Sequence, residues 1–294
     1  MINKVVIPAA GTGTRLLPAT KEMPKEMLPI FALNRRLDVC VKPLLQVVFE
    51  QFYSFGVREF CFVVGRGKAS ISDHFTSDVS FVNALNGTGK HELAERLSGF
   101  YDKVRSSSVV FVSQSEPRGF GDAVLKAEPY VKEPFLVQAG DTLILSRENN
   151  HLMRLLDVYE RFKGAATLFV KEVEDPRPFG IIEGREVGKG VYRVERVVEK
   201  PDQPSSNLAI TAVYLFKPEI FQALRSTLTG KGGELQLTDG IQRLIDMGLE
   251  VMALRLGRDD LWLDIGSPES YWNALRFSKD FVERQKSSGK KDVS

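Results

Sequence analysis

Cysteine is almost missing from the chain. Cys40 and Cys61 are the only two in 294 residues, and neither belongs to a Cys-x-x-Cys pair. A disulfide framework is thereby excluded, and a cysteine-ligated zinc site has no ligands to draw on. Histidine is sparse as well: His74, His91 and His151 stand at spacings that match no metal motif. There is no excess of charge of one sign, since 40 Lys+Arg face 38 Asp+Glu for a formal net charge of +2. A dedicated nucleic-acid binder needs a clustered cationic excess, so no nucleic-acid partner is expected. Long hydrophobic runs are also absent. Nothing approaches the stretch of about 18 apolar residues that signals a membrane-crossing helix. The apolar run Met1 to Ile7 is too short for a signal peptide's hydrophobic region and gives way at once to glycine-rich sequence. These absences lead to the expectation of a cytoplasmic protein with no membrane partner. What is present is ordinary globular composition, 43% hydrophobic and 27% charged, in a length that suits one large α/β domain or two small ones.

Short, continuously apolar runs recur through the first half: Val5-Val6-Ile7, Glu59 to Val64, Val109 to Val112 and Phe135-Leu136-Val137. Such runs fit strands covered on both faces. Helical patterns separate them. Pro43 opens Leu44 to Phe52, with Gly56 as a stop, and Ala123 to Ala127 and Leu152 to Phe162 follow. This alternation predicts a Rossmann-like, doubly wound mixed sheet, mostly parallel. The second half changes character. After a strand at Ala165 to Val173, the segments Phe179 to Gly184 and Val191 to Val198 alternate around glycine-rich turns, which predicts a small antiparallel subregion. Leu208 to Phe216 reads as a strand, Leu235 to Met247 as a helix and Pro268 to Glu283 as a terminal helix. No internal repeat or linker breaks the chain. The expected organisation is one domain over 1–285, with a nucleotide-binding half over about 1–145, a sugar-phosphate-binding half over about 146–266, a C-terminal helix over about 267–285 and a flexible tail over 286–294.

The most informative stretch is Ala9-Ala10-Gly11-Thr12-Gly13-Thr14-Arg15, continuing to Pro24-Lys25-Glu26-Met27-Leu28-Pro29. It follows the first strand, and open α/β sheets bind ligands at the carboxyl ends of their strands. Small residues let backbone N–H groups approach an anion. Arg15 offers a bidentate fork for phosphate oxygens, and Lys25 a mobile point charge. A third glycine is missing, which disfavours a dinucleotide fingerprint, and no Gly-Lys-Ser/Thr follows at P-loop spacing. A phosphate loop of another type remains.

The run from Ala10 to Pro29 resembles the signature of the sugar-1-phosphate nucleotidylyltransferases, and its Pro-Lys-Glu-Met-Leu-Pro form is most similar to the uridylyl branch. Further matches occur in the family's order at Gly119 to Val124, Val198-Glu199-Lys200-Pro201, Ser206 to Ile210 and Gly233 to Asp239. The resemblance implies transfer of a uridylyl group from UTP to glucose 1-phosphate, as a homodimer or homotetramer, with Mg²⁺ as cofactor. It implies that Ala9, Ala10, Gly11, Gly13, Thr14, Arg15, Lys25, Gln114 and Gly119 bind the nucleotide. The sugar phosphate falls to Gly180, Glu199, Lys200 and Asn207, and the catalytic set is Arg15, Lys25, Asp141 and Lys200. Asp141 follows a hydrophobic strand in Gln138 to Thr142, and Asp264 lies in Trp262 to Gly266. One or two carboxylates completed by substrate phosphates are what Mg²⁺ prefers, and the resemblance places both aspartates on the metal. Gln114 carries an amide that can meet both the donor and the acceptor edge of a pyrimidine.

The expected chemistry is in-line displacement at the α-phosphorus of UTP by a phosphate oxygen of glucose 1-phosphate. That nucleophile is already ionised, because a phosphate monoester's second pKa is about 6. Positioning and charge neutralisation, rather than proton transfer, carry such a reaction. Two rivals stand beside it. One is a thymidylyltransferase taking dTTP, or an enzyme accepting both nucleotides, since one methyl separates the bases. The other is a catalytically silent subunit that senses nucleotide sugars. The segment Phe31 to Pro43 is longer than the family's usual turn, and its Arg35 and Arg36 are expected to be solvated.

Overall fold

The computed structural model describes residues 2–34 and 36–289. The expected solvation of Arg35, and the end of the expected tail at 290–294, lie outside the described residues. In chain order the elements are β1 (Lys4–Ala9), β2 (Pro29–Leu33), β3 (Val39–Pro43), α1 (Leu44–Phe55), β4 (Glu59–Val64), α2 (Ala69–His74), α3 (Val79–Gly87), α4 (His91–Arg105), β5 (Ser108–Ser113), α5 (Phe120–Lys126), β6 (Phe135–Gln138) and β7 (Thr142–Leu145). Then come α6 (Asn150–Phe162), β8 (Ala166–Glu172), β9 (Gly180–Gly188), β10 (Val191–Glu199), β11 (Leu208–Phe216), α7 (Glu219–Arg225), α8 (Leu237–Asp246), β12 (Val251–Arg255), β13 (Leu261–Asp264) and α9 (Pro268–Gly289).

A nine-stranded sheet in the order β5-β4-β1-β6-β11-β8-β12-β10-β9 runs through both halves of the chain. From the pairings, β11 and β10 alone run against the other strands. The sheet is therefore mixed and mostly parallel, as the alternation predicted. Its central strands are apolar on both faces, and their side chains alternate between two cores. Val5 and Ile7 of β1, with Phe60 and Phe62 of β4, enter one core, whereas Val6, Cys61 and Val63 enter the other. The first core centres on a ring cluster in which Phe49 of α1 meets Phe60, Phe75 and Phe100 at centroid distances of 4.4, 5.3 and 6.0 Å. Among the described residues no helix is long and apolar enough to cross a membrane.

Strand order fixes where a crevice must open. From β1 the chain moves outward to β4 and β5, then returns to place β6 on the other side of β1. The loops leaving β1 and β6 therefore diverge at a topological switch point, where α/β sheets bind their ligands. The glycine-rich loop follows β1 and Asp141 follows β6.

The long segment before Lys42-Pro43 is a regular antiparallel hairpin, β2–β3. It is tied to the C-terminal helix: Phe31 N donates to Ser278 Oγ at 3.3 Å, and Tyr271 OH donates to Pro29 O at 3.0 Å. Arg36 is exposed, as expected, and pairs with Glu95 at 3.1 Å. The terminal helix runs to residue 289, past the expected boundary at 285, and Lys286 reaches Asp38 of the hairpin at 3.4 Å. Docking on the hairpin keeps this polar stretch helical where its composition alone suggested fraying.

Phe49 is fully buried among three other rings. Phe49→Ala is therefore expected to lower unfolding stability by about 3–5 kcal/mol in urea titration; a loss below about 1 kcal/mol would show that the ring cluster is not a principal source of stability.

Candidate active site

Two short strands bring the aspartates together. Asp141 ends the turn after β6, immediately before β7, and β13 pairs antiparallel with β7 so that Asp264 lies opposite Thr142. The Ile265 N–H donates to Asp141 O at 2.9 Å and fixes the crossing. Lys25 enters from a single 3₁₀ turn, Lys25–Met27, and its ammonium pairs with the Asp141 carboxylate. Burial works against the Lys25 charge, but the surrounding carboxylates, Asp141 foremost and then Glu26 and Asp264, together raise the pKa. Burial, and then the charge of Asp141, push the Asp264 carboxyl up to about 6, while Lys25 and Arg15 pull the other way. Two carboxylates held this close repel one another, and a cation between them would relieve both. Among the described residues no third His, Cys, Asp or Glu joins them. The remaining positions around a cation would have to come from substrate oxygens and water, which is the habit of Mg²⁺ rather than of zinc or calcium.

Asp141 stands at the junction of a divided cleft. On one side lies a compartment of ≈ 660 Å³ whose wall includes Arg15, Gly180, Glu199, Lys200, Thr238 and Asp264. On the other lies a compartment of ≈ 210 Å³ bordered by Ala10, Gly11, Lys25, Gln114 and Gly119, which also touches Asp141. It continues into a third space of ≈ 280 Å³ shared with Ala10, Gly11, Lys25 and Gln114 and flanked by Arg66 and Lys68.

In the larger compartment the Glu199 carboxylate accepts from Thr238 Oγ1 at 2.6 Å and faces Lys200 Nζ at 3.2 Å. Gly180 packs against both Thr238 and Glu199. Lys200 and Ala212 hold left-handed backbone conformations, with φ of 44° and 55°. Both line this compartment, and strain in non-glycine residues concentrates where the surrounding structure enforces a functional geometry. In the smaller compartment Gln114 donates both N–H groups of its amide to protein, to Gly119 O at 3.1 Å and to Asp122 Oδ2 at 2.7 Å. Its Oε1 is the atom left to face a ligand, so the side chain offers an acceptor rather than the two-sided amide that the sequence suggested.

The structure thus gathers Ala10, Gly11, Arg15, Lys25, Gln114, Gly119, Asp141, Gly180, Glu199, Lys200 and Asp264 around one cleft. It leaves others outside its walls. Ala9 is buried in the core beneath the loop. Gly13 and Thr14 shape the turn, with Gly13 O accepting from Thr20 Oγ1 at 2.8 Å. Asn207 is exposed at the entrance to β11, where its carbonyl accepts from Val173 N at 3.0 Å. Sequence reasoning also missed contributors. Thr238 and Gln236 lay in a segment matched to the family without being given a role, and Gly65-Arg66-Gly67-Lys68 went unremarked although it follows a strand as the first loop does.

A mixed α/β sheet whose switch point carries a glycine-rich loop, facing lysines and a pair of aspartates, is an arrangement for bringing two phosphate-bearing molecules together. The chain belongs to the nucleotidyl transferase family, whose profile matches residues 4–280. Among its relatives, the UTP–glucose-1-phosphate uridylyltransferase 2 of Streptococcus pyogenes serotype M3 is 43% identical over 253 residues, covering 83% of this chain and 80% of its own. A solved UDP-glucose pyrophosphorylase complexed with UDP-glucose superposes with a TM-score of 0.80 at 31% identity, covering 97% of this chain and 100% of the other. The UTP-bound enzyme from Acinetobacter baumannii gives 0.81 at 30% identity over 94% and 93% of the two chains.

Gly119 is the tightest point of the smaller compartment. Its φ is 109°, and a Cβ there would lie 2.5 Å from Leu235 O. Gly119→Ala should therefore cost at least about 1–3 kcal/mol, measured by thermal or urea unfolding; an unchanged midpoint would mean that the loop relaxes freely.

Proposed function

We propose that this protein transfers a uridylyl group from UTP to α-D-glucose 1-phosphate, releasing pyrophosphate and forming UDP-glucose. The observation that carries this reading is the divided cleft, in which a compartment walled by the glycine-rich loop and Gln114 meets one walled by Glu199 and Lys200 at Asp141. The chain's similarity to enzymes solved with UTP and with UDP-glucose supports the same division. The half over about 1–145 then takes the nucleotide and the half over about 146–266 the sugar phosphate.

Roles follow from position and chemistry. Gln114 Oε1 accepts from the N3–H of uracil, which excludes cytosine, whose N3 carries no proton. The backbone of Ala10 and Gly11 approaches the nucleotide closely, as small residues permit. Lys25 and Arg15 neutralise phosphate charge at the junction. Lys200 holds the phosphate of the sugar substrate, and Glu199, oriented by Thr238, accepts from its hydroxyls. Asp141 and Asp264 would hold Mg²⁺, which when bound supplies charge neutralisation at the α-phosphate and fixes its orientation. The attacking phosphate oxygen is already anionic, so the protein's task is to align it opposite the pyrophosphate leaving group while offsetting the repulsion of two polyanions. No side chain needs to remove a proton.

The decisive assay incubates the protein with Mg²⁺, glucose 1-phosphate and each nucleoside triphosphate in turn, following pyrophosphate. Release is expected to be fastest with UTP. A faster rate with dTTP would transfer the assignment to the thymidylyl reaction, and no release with any pairing of nucleotide and sugar 1-phosphate would sink the enzymatic reading. Chelation with EDTA should abolish turnover, and added Mg²⁺ should restore it. Asp141→Asn should lower kcat by at least about 100-fold with the melting temperature retained, because it removes a charge at the reacting centre. Near-normal turnover would remove Asp141 from the metal site.

A further inference from the structure

Lys68 is the fourth residue of Gly65-Arg66-Gly67-Lys68, the turn that leaves β4 and starts α2. Its ammonium meets both oxygens of Glu26, at 2.9 and 2.8 Å. The two side chains are almost withdrawn from water, with 8% and 2% exposure. Burial raises the Glu26 carboxyl and lowers the Lys68 ammonium, and the charge of each offsets part of the shift in the other. A buried pair of this kind is a weak source of stability, since the desolvation of both ions offsets their attraction. Its position suggests a different use. Glu26 is the residue after Lys25, and its Cγ lies 3.2 Å from where a Cβ on Gly140 would stand, beside the residue that precedes Asp141. Two carboxylates thus act on the Lys25 ammonium. It pairs with Asp141, yet Glu26 acts on it as well, and after Lys68 it is Lys25 whose positive charge Glu26 feels most.

We propose that Lys68 is a positioning residue that keeps the Glu26 carboxylate occupied, so that the Lys25 ammonium stays with Asp141 and the substrate phosphates. The inference rests on the uridylyl-transfer reading of the cleft. Without the Lys68 ammonium, the strongest remaining pull on the Glu26 carboxylate is toward Lys25, the next cation whose charge it feels. Lys25 then leaves the junction, where two aspartates and two polyanionic substrates need it. If both members of the pair are replaced by neutral groups of similar size, the competing carboxylate disappears together with the residue that restrains it, and Lys25 returns to Asp141. A purely structural pair behaves in the opposite way, because the double replacement cannot repair a scaffold that the single one damaged.

The test compares full-length wild type, Lys68→Met, Glu26→Gln and the double variant by steady-state kinetics with UTP and glucose 1-phosphate, alongside melting temperatures. Lys68→Met is expected to lower kcat by about 100-fold, the cost of displacing a reacting group by an ångström. Its KM for glucose 1-phosphate should change by less than about threefold, because the sugar compartment is untouched. The double variant should regain at least about tenfold of the lost kcat, a coupling that a double-mutant cycle measures directly. A Lys68→Met kcat within about threefold of wild type, or a folded double variant no faster than Lys68→Met, overturns the inference alone. If Lys68→Met does not fold, the double variant decides, with its kcat expected within about tenfold of wild type and a greater loss overturning the proposal. An inactive wild type would overturn the reading of the cleft and this inference with it.

Discussion

The pairing of Lys25 with Asp141 joins parts of the chain that are otherwise separate. One partner comes from the loop after the first strand, the other from the turn after β6, and the contact closes the crevice that the strand order opens. Around it the charges are arranged in opposition. Asp264 is pressed against Asp141 by the β7–β13 pairing, and Arg15 offsets part of the repulsion. Glu26 is held on the far side by Lys68. The two compartments of the cleft meet here, so the ion pair also marks the boundary between them. A nearly neutral chain can therefore handle two polyanions, because its cations converge on one place instead of covering a surface.

The sheet explains why that convergence is possible. Strands β5, β4, β1 and β6 form a parallel block that supplies loops at one edge, whereas β11 runs against β6 and returns the chain from the other half of the sheet. The reversal brings Ala212, at a bulge in β11, opposite the turn of Ala139, whose N–H donates to Ala212 O at 3.1 Å. The strained backbone at Ala212 thus touches the same short turn that carries Asp141.

Much of this was legible in the sequence, and the reasons for the rest are physical. Short, continuously apolar runs announced β1, β4 and β6, because strands buried on both faces cannot alternate. The loop after β1 was recognisable because its glycines, Arg15 and Lys25 follow a strand directly. Strands β7 and β13 were not recognised: each has four residues, and their pairing depends on a partner more than a hundred positions away, which no local pattern encodes. The hairpin β2–β3 looked like an irregular insertion because its register is set partly by contact with α9. Residues chosen through the resemblance divided similarly. Lys25, Asp141 and Glu199, singled out for their charged side chains, came together in the cleft. Gly13, Thr14 and Asn207 lie outside its walls. Lys68 escaped notice because its importance lies in what it faces, and Glu26 is forty-two positions earlier.

The tie between the β2–β3 hairpin and α9 also bears on the order in which the protein is made. Leu28 and Pro29 end the loop that carries Lys25, the hairpin starts there, and Ser278 and Tyr271 of the last helix fasten it. Asp264 stands just before that helix. Domains generally fold as units during synthesis, and the core that β1 and β4 share itself takes in Ile265 and Ala274 from this end of the chain. The second carboxylate and the clamp on the first loop are both supplied at the end. Core and cleft therefore stay unfinished together, and translation of the final helix sets the moment at which both can close.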